Sequence, residues 1–339
     1  MSLTPVIDSG LPVDALVTWV DGSDPAHKAK MEKHLSRQSS GRIPGASPTR
    51  FASVNEIRYC VLSILRFAPF IRNIFILTDG QGPGLRADIE RWFPGRRDSV
   101  KIVDHREAFR GYEHYLPAFS SRSISSMAWR IEGLSDNFVY FNDDTFLIRE
   151  VSRDDWFRAG RPVLRGTWAT VPLFRILRDK VMSALIPLFR QGRDWEPRAS
   201  YHMGQWGAAL LAGFRWRYFY FGHAPFAIDR RVMERFFNGN QQLMEKNISY
   251  RFRNFRQYDF ISLACHLELA SGNMNITRND FAYLQPYNRR RNYISGKIQI
   301  CERNDRIRFL CVQSLEMCTP EEQKLVFNWL TYRLGMEEN

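Results

Sequence analysis

The stretch Phe138-Val139-Tyr140-Phe141-Asn142-Asp143-Asp144 runs four apolar residues straight into a polar triplet. A short apolar run bounded by turn chemistry reads as a buried strand ending in a loop. The same pattern occurs three times upstream. Residues 15–20 stop at Asp21-Gly22-Ser23-Asp24-Pro25, residues 73–78 at Asp79-Gly80-Gln81-Gly82-Pro83-Gly84, and residues 100–103 at Asp104-His105. Helical spacing fills the intervals. Residues 55–67 put Ile57, Cys60, Val61, Ile64 and Leu65 on one face, residues 26–35 form a polar helix, and a third helix around 121–131 stops at Gly133. Strands alternating with helices over 150 residues predict an α/β fold with a largely parallel sheet. Open sheets of this kind bind ligands outside the carboxyl ends of their strands. The clusters 21–24, 79–81 and 142–144 all fall at such ends.

Beyond residue 150 the pattern turns helical and aromatic. Residues 173–189 are basic and amphipathic, carrying Arg175, Arg178 and Lys180 with Arg190 just after. Residues 230–237 and 259–270 read as helices, 294–312 as one or two late strands, and 320–334 as a final helix. Residues 39–48, rich in Ser, Gly and Pro, read as a mobile loop. The division that follows is an α/β core over 1–150, a helical basic insertion over 151–220 and a second part of the catalytic unit over 221–339.

Composition narrows the classes. A chain of 339 residues with 44% apolar content has enough material for a core, which excludes disorder beyond the ends. The longest apolar stretches, 182–189 and 206–214, are far short of the roughly 20 residues of a membrane span. Residues 1–13 lack the pattern of a signal peptide, and five cysteines without metal-type spacing argue against a disulfide framework. These features predict a cytoplasmic protein. The net charge of +12 is uneven: residues 1–150 hold 19 basic against 18 acidic residues, and the remainder 29 against 18. Such a field draws phosphates, anionic glycans, anionic membrane or nucleic acid, and composition does not choose among them.

Several residues can carry chemistry. Asp143 and Asp144 resemble the acidic pair with which many nucleotide-sugar enzymes hold Mg²⁺ or Mn²⁺ against a diphosphate; an Asp pair is also common in turns. Gly22 permits close backbone approach, and Asp24 can accept a proton or hydrogen-bond a sugar, although Asp24 before Pro25 is equally a helix start. His223 lies in a loop ahead of a helix, where a histidine is more often structural. Arg253 belongs to a basic run that is either a solvated face or the cation a phosphoryl-transfer site requires.

In this order the pieces resemble the Stealth proteins, which include bacterial capsule polymerases and the phosphotransferase that tags lysosomal enzymes. The first block is similar at Leu16-Val17-Thr18-Trp19-Val20-Asp21-Gly22-Ser23-Asp24-Pro25. The second is similar at Asn55-Glu56-Ile57-Arg58-Tyr59, Phe67-Ala68-Pro69-Phe70-Ile71-Arg72-Asn73-Ile74, Thr78-Asp79-Gly80-Gln81, Val103-Asp104-His105, Leu116-Pro117-Ala118-Phe119-Ser120-Ser121, Gly133-Leu134-Ser135 and Tyr140-Phe141-Asn142-Asp143-Asp144. A third block resembles the family at His223-Ala224-Pro225, Ile228-Asp229-Arg230 and Tyr250-Arg251-Phe252-Arg253, and a fainter fourth at Arg308-Phe309-Leu310-Cys311. Three positions depart from it. Ser125 and Gln313-Ser314 stand where the family has Glu and Asn-Asp, and Gln257 stands where it has an acidic residue, unless Asp259 replaces it.

The resemblance implies a glycosyltransferase-A-like α/β core, a UDP-activated hexosamine donor and dependence on Mg²⁺ or Mn²⁺. By position it carries over Asp24, Asp144, His223 and Arg253 as catalytic residues and Asp143 with Asp144 as metal ligands. Trp19, Asp21, Gly22, Arg58, Asp79 and Gln81 are the expected donor contacts. The implied reaction moves hexose-1-phosphate from a UDP-sugar to a hydroxyl of an oligo- or polysaccharide, releasing UMP, with Asp24 or His223 as the base. A metal-dependent glycosyltransferase releasing UDP shares these parts. Nucleic-acid binding would leave the strand-end carboxylates unexplained, so nucleic acid is not an expected partner. The basic second half is expected to face an anionic glycan acceptor and the anionic inner membrane surface, with 173–190 as the membrane segment.

Overall fold

The computed structural model describes residues 10–35, 53–189, 199–278, 280–287, 289–290 and 292–337. The loop expected at 39–48 lies outside the described residues. A five-stranded sheet forms the centre. Counting strands of three residues or more, it contains β1 (Val13–Thr18), β2 (Ile71–Thr78), β3 (Val100–Asp104), β4 (Asn137–Asn142) and β8 (Phe226–Asp229), in the order β8-β4-β1-β2-β3. The four strands from the first 150 residues pair in parallel, and β8 adds antiparallel on β4. The chain is therefore α/β with a mostly parallel sheet, as its strand and helix alternation predicts.

Side chains alternate between the two faces of a strand, and the core divides accordingly. Ala15, Val17, Ile74, Ile76, Val139 and Phe141 point to one layer. There they meet α2 (Glu56–Phe67) and α11 (Pro320–Leu334), whose Tyr59 and Phe327 rings stack at 4.8 Å. Leu16, Phe75, Leu77, Phe138 and Tyr140 point to the other layer. That layer is built from α4 (Ser121–Ala128), α7 (Arg230–Asn238), α8 (Gln241–Ile248) and α9 (Phe260–Ala270). Burial on both faces explains why these strands read as continuous apolar runs.

A second, three-stranded sheet has the order β9-β10-β5, from β5 (Thr145–Leu147), β9 (Phe281–Leu284) and β10 (Phe309–Val312). β5 follows β4 after two residues, so Asp143 and Asp144 form the turn that joins the two sheets. A ribbon of β6 (Thr167–Thr170) and β7 (Arg217–Tyr220) brackets α5 (Leu173–Phe189) and α6 (Tyr201–Leu211). The remaining helices of seven residues or more are α1 (Pro25–Leu35), α3 (Arg86–Trp92) and α10 (Tyr293–Arg303).

α10 corrects the expectation of strands across 294–312. Ile294 and Cys301 are buried and Ile298 packs beside them. Their spacing of four and three residues is helical, and only Phe309–Val312 is extended.

Candidate active site

The strand registers set the site. Thr18 of β1 pairs with Leu77 of β2 and Asn142 of β4, and Thr78 pairs with Asp104 of β3. All four strands thus end at one level, and the loops beginning at Trp19, Asp79 and Asp143 open on the same edge of the sheet.

The first loop is locked by short polar contacts. Asp21 Oδ1 accepts from the Ser23 backbone N–H at 2.8 Å and from Ser23 Oγ at 2.6 Å. Gln81 crosses from the second loop: its Oε1 accepts from Asp21 N–H, and its Nε2 donates to Asp21 O and to Asp24 Oδ2, each at 2.9 Å. Asp24 Oδ1 accepts from Ala26 N–H at 2.8 Å, so Asp24 starts α1 as its place before Pro25 suggests. The Gln81 amide, then the Ala26 amide, hold the Asp24 carboxyl below its ordinary value. Trp19 is buried, and its indole Nε1 has no hydrogen-bond acceptor among the described residues.

Two expected donor contacts are engaged elsewhere. Asp79 Oδ2 lies 3.0 Å from Lys30 Nζ and 3.8 Å from His27 Nδ1. His27 first, and Lys30 after it, hold this carboxyl far below the usual range despite its burial. Asp79 therefore fastens α1 to the end of β2. Arg58 gives both arms of its guanidinium to Asp88 at 2.8 and 2.6 Å, tying α2 to α3.

The acidic centre is the Asp143–Asp144 turn. Glu56, buried at the start of α2, lies within electrostatic reach of both, and burial raises its carboxyl. Asp143 is pushed well above 3.8 by burial, then by Asp144 and Glu56. Asp144 rises to about 6 through burial and Glu56, against hydrogen bonds from Cys311 and Thr145. Both aspartates keep some solvent access while protein surrounds them on most sides. Mutually repelling carboxylates of this kind fit a cation. Among the described residues no three His, Cys, Asp or Glu side chains stand together as a metal-ligand group. The fit is therefore to an ion such as Mg²⁺, which takes one or two protein carboxylates and completes its shell from substrate phosphate and water.

His223 lies between two tyrosines. Its ring stacks on Tyr201 at 5.2 Å and 11°, and on Tyr283 at 4.9 Å and 16°. Tyr201 OH donates to Gly222 O at 3.1 Å, and Tyr283 OH donates to Gln313 Oε1. Burial lowers the imidazole from its ordinary 6.5, and Asp259 works against that shift.

Arg253 approaches from the third block. Its guanidinium donates to Ser121 Oγ. The adjacent Phe252 packs with Met31 of α1 and with Phe119, beside Val20, which brings the first and third blocks together. Tyr140 reports the convergence. Its hydroxyl is 2.9 Å from Thr18 Oγ1, and burial pushes its ionisation far up, with Asp259 and Asp143 adding and Arg253 opposing. Asp259, Asp143 and Arg253 thus all lie within electrostatic reach of one phenol.

Asp259 is the residue that motif reading passes over in its site assignment. Gln257 is 1% exposed and spends its amide on Ser120, Ser123, Asn247 and Asn254, so it is a packing residue. Two residues on, Asp259 caps α9 through Ser262 N–H at 2.9 Å and lies within electrostatic reach of His223 and Tyr140. Ser125 is buried against the Arg122 carbonyl. Tyr201 and Tyr283 carry no sequence signal as a pair, because 82 residues separate them.

Residues 11–37 match the family model described as Stealth protein conserved region 1, and residues 50–163 match conserved region 2. The first half of the chain thus carries, in order, two conserved regions of the Stealth family. Trp19, Asp21, Asp24, Arg58, Gln81, Asp143 and Asp144 lie inside the two matched Stealth regions; His223, Arg253 and Asp259 lie beyond them. Among similar proteins, an exopolysaccharide phosphotransferase of Streptomyces coelicolor is 45% identical over 154 residues, 44% of this chain and 26% of the relative. A capsular polysaccharide phosphotransferase of Actinobacillus pleuropneumoniae is 36% identical over 149 residues, 43% of this chain and 38% of the relative. The match thus spans about a quarter to two-fifths of those relatives' length. A longer match, 35% over 228 residues and 67% of this chain, is to 34% of another Streptomyces coelicolor exopolysaccharide phosphotransferase. Among solved structures, a galactosyltransferase crystallised with donor and acceptor sugar analogues aligns over 96% of both chains at 12% identity, TM-score 0.41. The bifunctional glycosyltransferase WbbM aligns over 98% of this chain and 51% of its own, at 12% identity and TM-score 0.43.

Proposed function

We propose that this chain is a sugar-1-phosphate transferase acting in capsule or exopolysaccharide synthesis, using a UDP-hexose donor and a glycan acceptor. The observation that supports it most is the meeting of an uncompensated carboxylate pair, an arginine and a half-buried histidine around the ends of β1 and β4. The relatives' names, phosphotransferases of capsular and exopolysaccharide, support the same reading.

In this proposal the acceptor hydroxyl attacks the sugar-bearing phosphorus, the bond to the α-phosphate oxygen breaks, and UMP leaves. Phosphoryl transfer asks the protein mainly for positioning and charge neutralisation. Asp143 and Asp144 would hold a divalent cation, which would supply charge neutralisation for the donor diphosphate. Arg253 stabilises the charge on the transferring phosphoryl oxygens. Trp19 Nε1 and the 21–24 backbone, held by Gln81, are the donor contacts.

His223 is the better base of the two expected. Its burial keeps the imidazole neutral near pH 7, ready to take the hydroxyl proton, and Asp259 stabilises the imidazolium that forms. Asp24 is held in its weakly basic carboxylate form by Gln81 and Ala26, which suits it to orient the hydroxyl.

The test is the nucleotide released when the purified chain, Mg²⁺ or Mn²⁺ and a panel of UDP-sugars meet capsule-type oligosaccharides. UMP is expected, with Asp144→Ala and Arg253→Ala each losing about a hundredfold or more in kcat. Release of UDP would assign plain glycosyl transfer, and full activity in both variants would remove the assigned roles.

A further inference from the structure

α5 turns a face to solvent that the site does not use. Leu173, Leu177, Val181 and Leu185 recur every fourth residue and so line one stripe, with Phe174 beside its first turn. All five are exposed, Leu173 to 69% and Phe174 to 79%. The stripe is not what holds the helix on, because Ile176 packs instead with Trp206, Ala209 and Tyr218. Arg217 pairs with Thr170 across the β6–β7 ribbon. That register sets Arg215 and Trp216 beside Val171 and Pro172 at the entry to α5, and Trp216, 86% exposed, extends the patch there.

Cations frame the patch. Arg178, Lys180, Arg215 and Arg217 are exposed and Arg175 is half-buried. Arg178 shares its charge with Asp179 at 2.7 Å, and Arg217 stacks on Trp168 at 4.1 Å. Arg175 and Arg178 also line an open concavity of about 510 Å³ with Tyr218 and Thr170.

The chemistry of the patch selects its partner. A glycan needs hydrogen-bonding side chains and flat rings, and a leucine–valine stripe offers neither. Nucleic acid would use the cations and leave the stripe in water. A lipid surface uses both, taking the apolar stripe at the acyl boundary and the arginines and lysine at its phosphates. The helix has 17 residues, and among the described residues no helix is long and apolar enough to cross a membrane. We propose that this face seats the chain on an anionic lipid surface, with α5 lying in the plane of the interface and Trp216 at its edge. α6, which packs beneath α5 through Trp206, begins at Tyr201, the ring that stacks on His223. The docked face therefore lies one helix from the candidate site.

Flotation of the full chain with vesicles of phosphatidylcholine plus phosphatidylserine, and of phosphatidylcholine alone, tests this. The chain is expected to float with the anionic vesicles only. Phe174→Ser with Leu177→Ser should reduce partitioning by at least about tenfold, and Arg175→Gln and Lys180→Gln by about fivefold each, less at high salt. An unchanged melting curve in each variant shows that the fold survives. The blue shift of tryptophan emission on binding should shrink in Trp216→Phe. No flotation of the parent chain, or flotation unaffected by the double serine variant, overturns the proposal. So does a parent dimer that the double serine variant converts to monomer without any vesicle binding, since the stripe would then cover a second copy.

Discussion

Asp144→Asn should make the metal-free chain more stable while removing its activity. In the folded chain, burial and Glu56 lift the Asp144 carboxyl from an ordinary 3.8 to about 6. A folded value above the unfolded one means the folded chain binds the proton more tightly. Asp144 therefore costs nothing below about pH 4, and its penalty grows as pH rises through about 6. The gap between the two values corresponds to at most about 3 kcal/mol. Residual solvent access and sharing with Asp143 and Glu56 reduce this to about 1–2 kcal/mol. Asparagine keeps the shape and the oxygen facing Thr145 without the charge. Urea unfolding in EDTA, followed by tryptophan emission, is expected to show Asp144→Asn more stable by about 1–2 kcal/mol near pH 7. Near pH 4 the two proteins should be equal. Mg²⁺ should raise the stability of the parent and leave the variant where it was. A variant less stable than the parent near pH 7 in EDTA, or parallel pH profiles, would refute the view that these carboxylates lack a positive partner.

Three further outcomes follow from the geometry. Asp259→Asn removes the charge that raises His223, so the acid limb of kcat/KM should move to lower pH while the asparagine still caps α9; an unmoved limb would separate the two residues. A Cβ at Gly222 would stand 2.4 Å from Phe281 Cζ. Gly222→Ala should therefore cost about 1–3 kcal/mol and depress kcat through the neighbouring His223, as calorimetry and initial rates would report. Gln81→Ala deletes three hydrogen bonds to Asp21 and Asp24, one of them charge-assisted, and should cost about 2–4 kcal/mol in urea unfolding. An effect below about 0.5 kcal/mol would mean that the first loop holds itself.

The strand ends were legible in the sequence because parallel strands buried on both faces must be continuous apolar runs, and polar residues at once mark where they stop. Phe138–Phe141 before Asn142 shows the rule directly. Helices with one apolar face, such as α2, were legible for the same reason, and Asp24, Asp143 and Asp144 came with those boundaries. Arg58 and Asp79 looked like donor contacts from their motifs, yet each is paired with an opposite charge, and pairing across 30 residues (Arg58 with Asp88) has no local signature. α10 was misread because Ile294 to Val312 mixes apolar residues at helical spacing with a true strand.

What the sequence by itself determined is the sheet, its polar edge and the carboxylates on it, since these depend on burial periodicity within single segments. What only the tertiary structure decided is the company those carboxylates keep. Glu56 against Asp144, Asp259 and Arg253 about Tyr140, and Tyr201 with Tyr283 around His223 all join segments far apart in the chain. Their effects on charge and proton affinity come from distance and desolvation in the folded chain, which residue spacing along the chain does not encode.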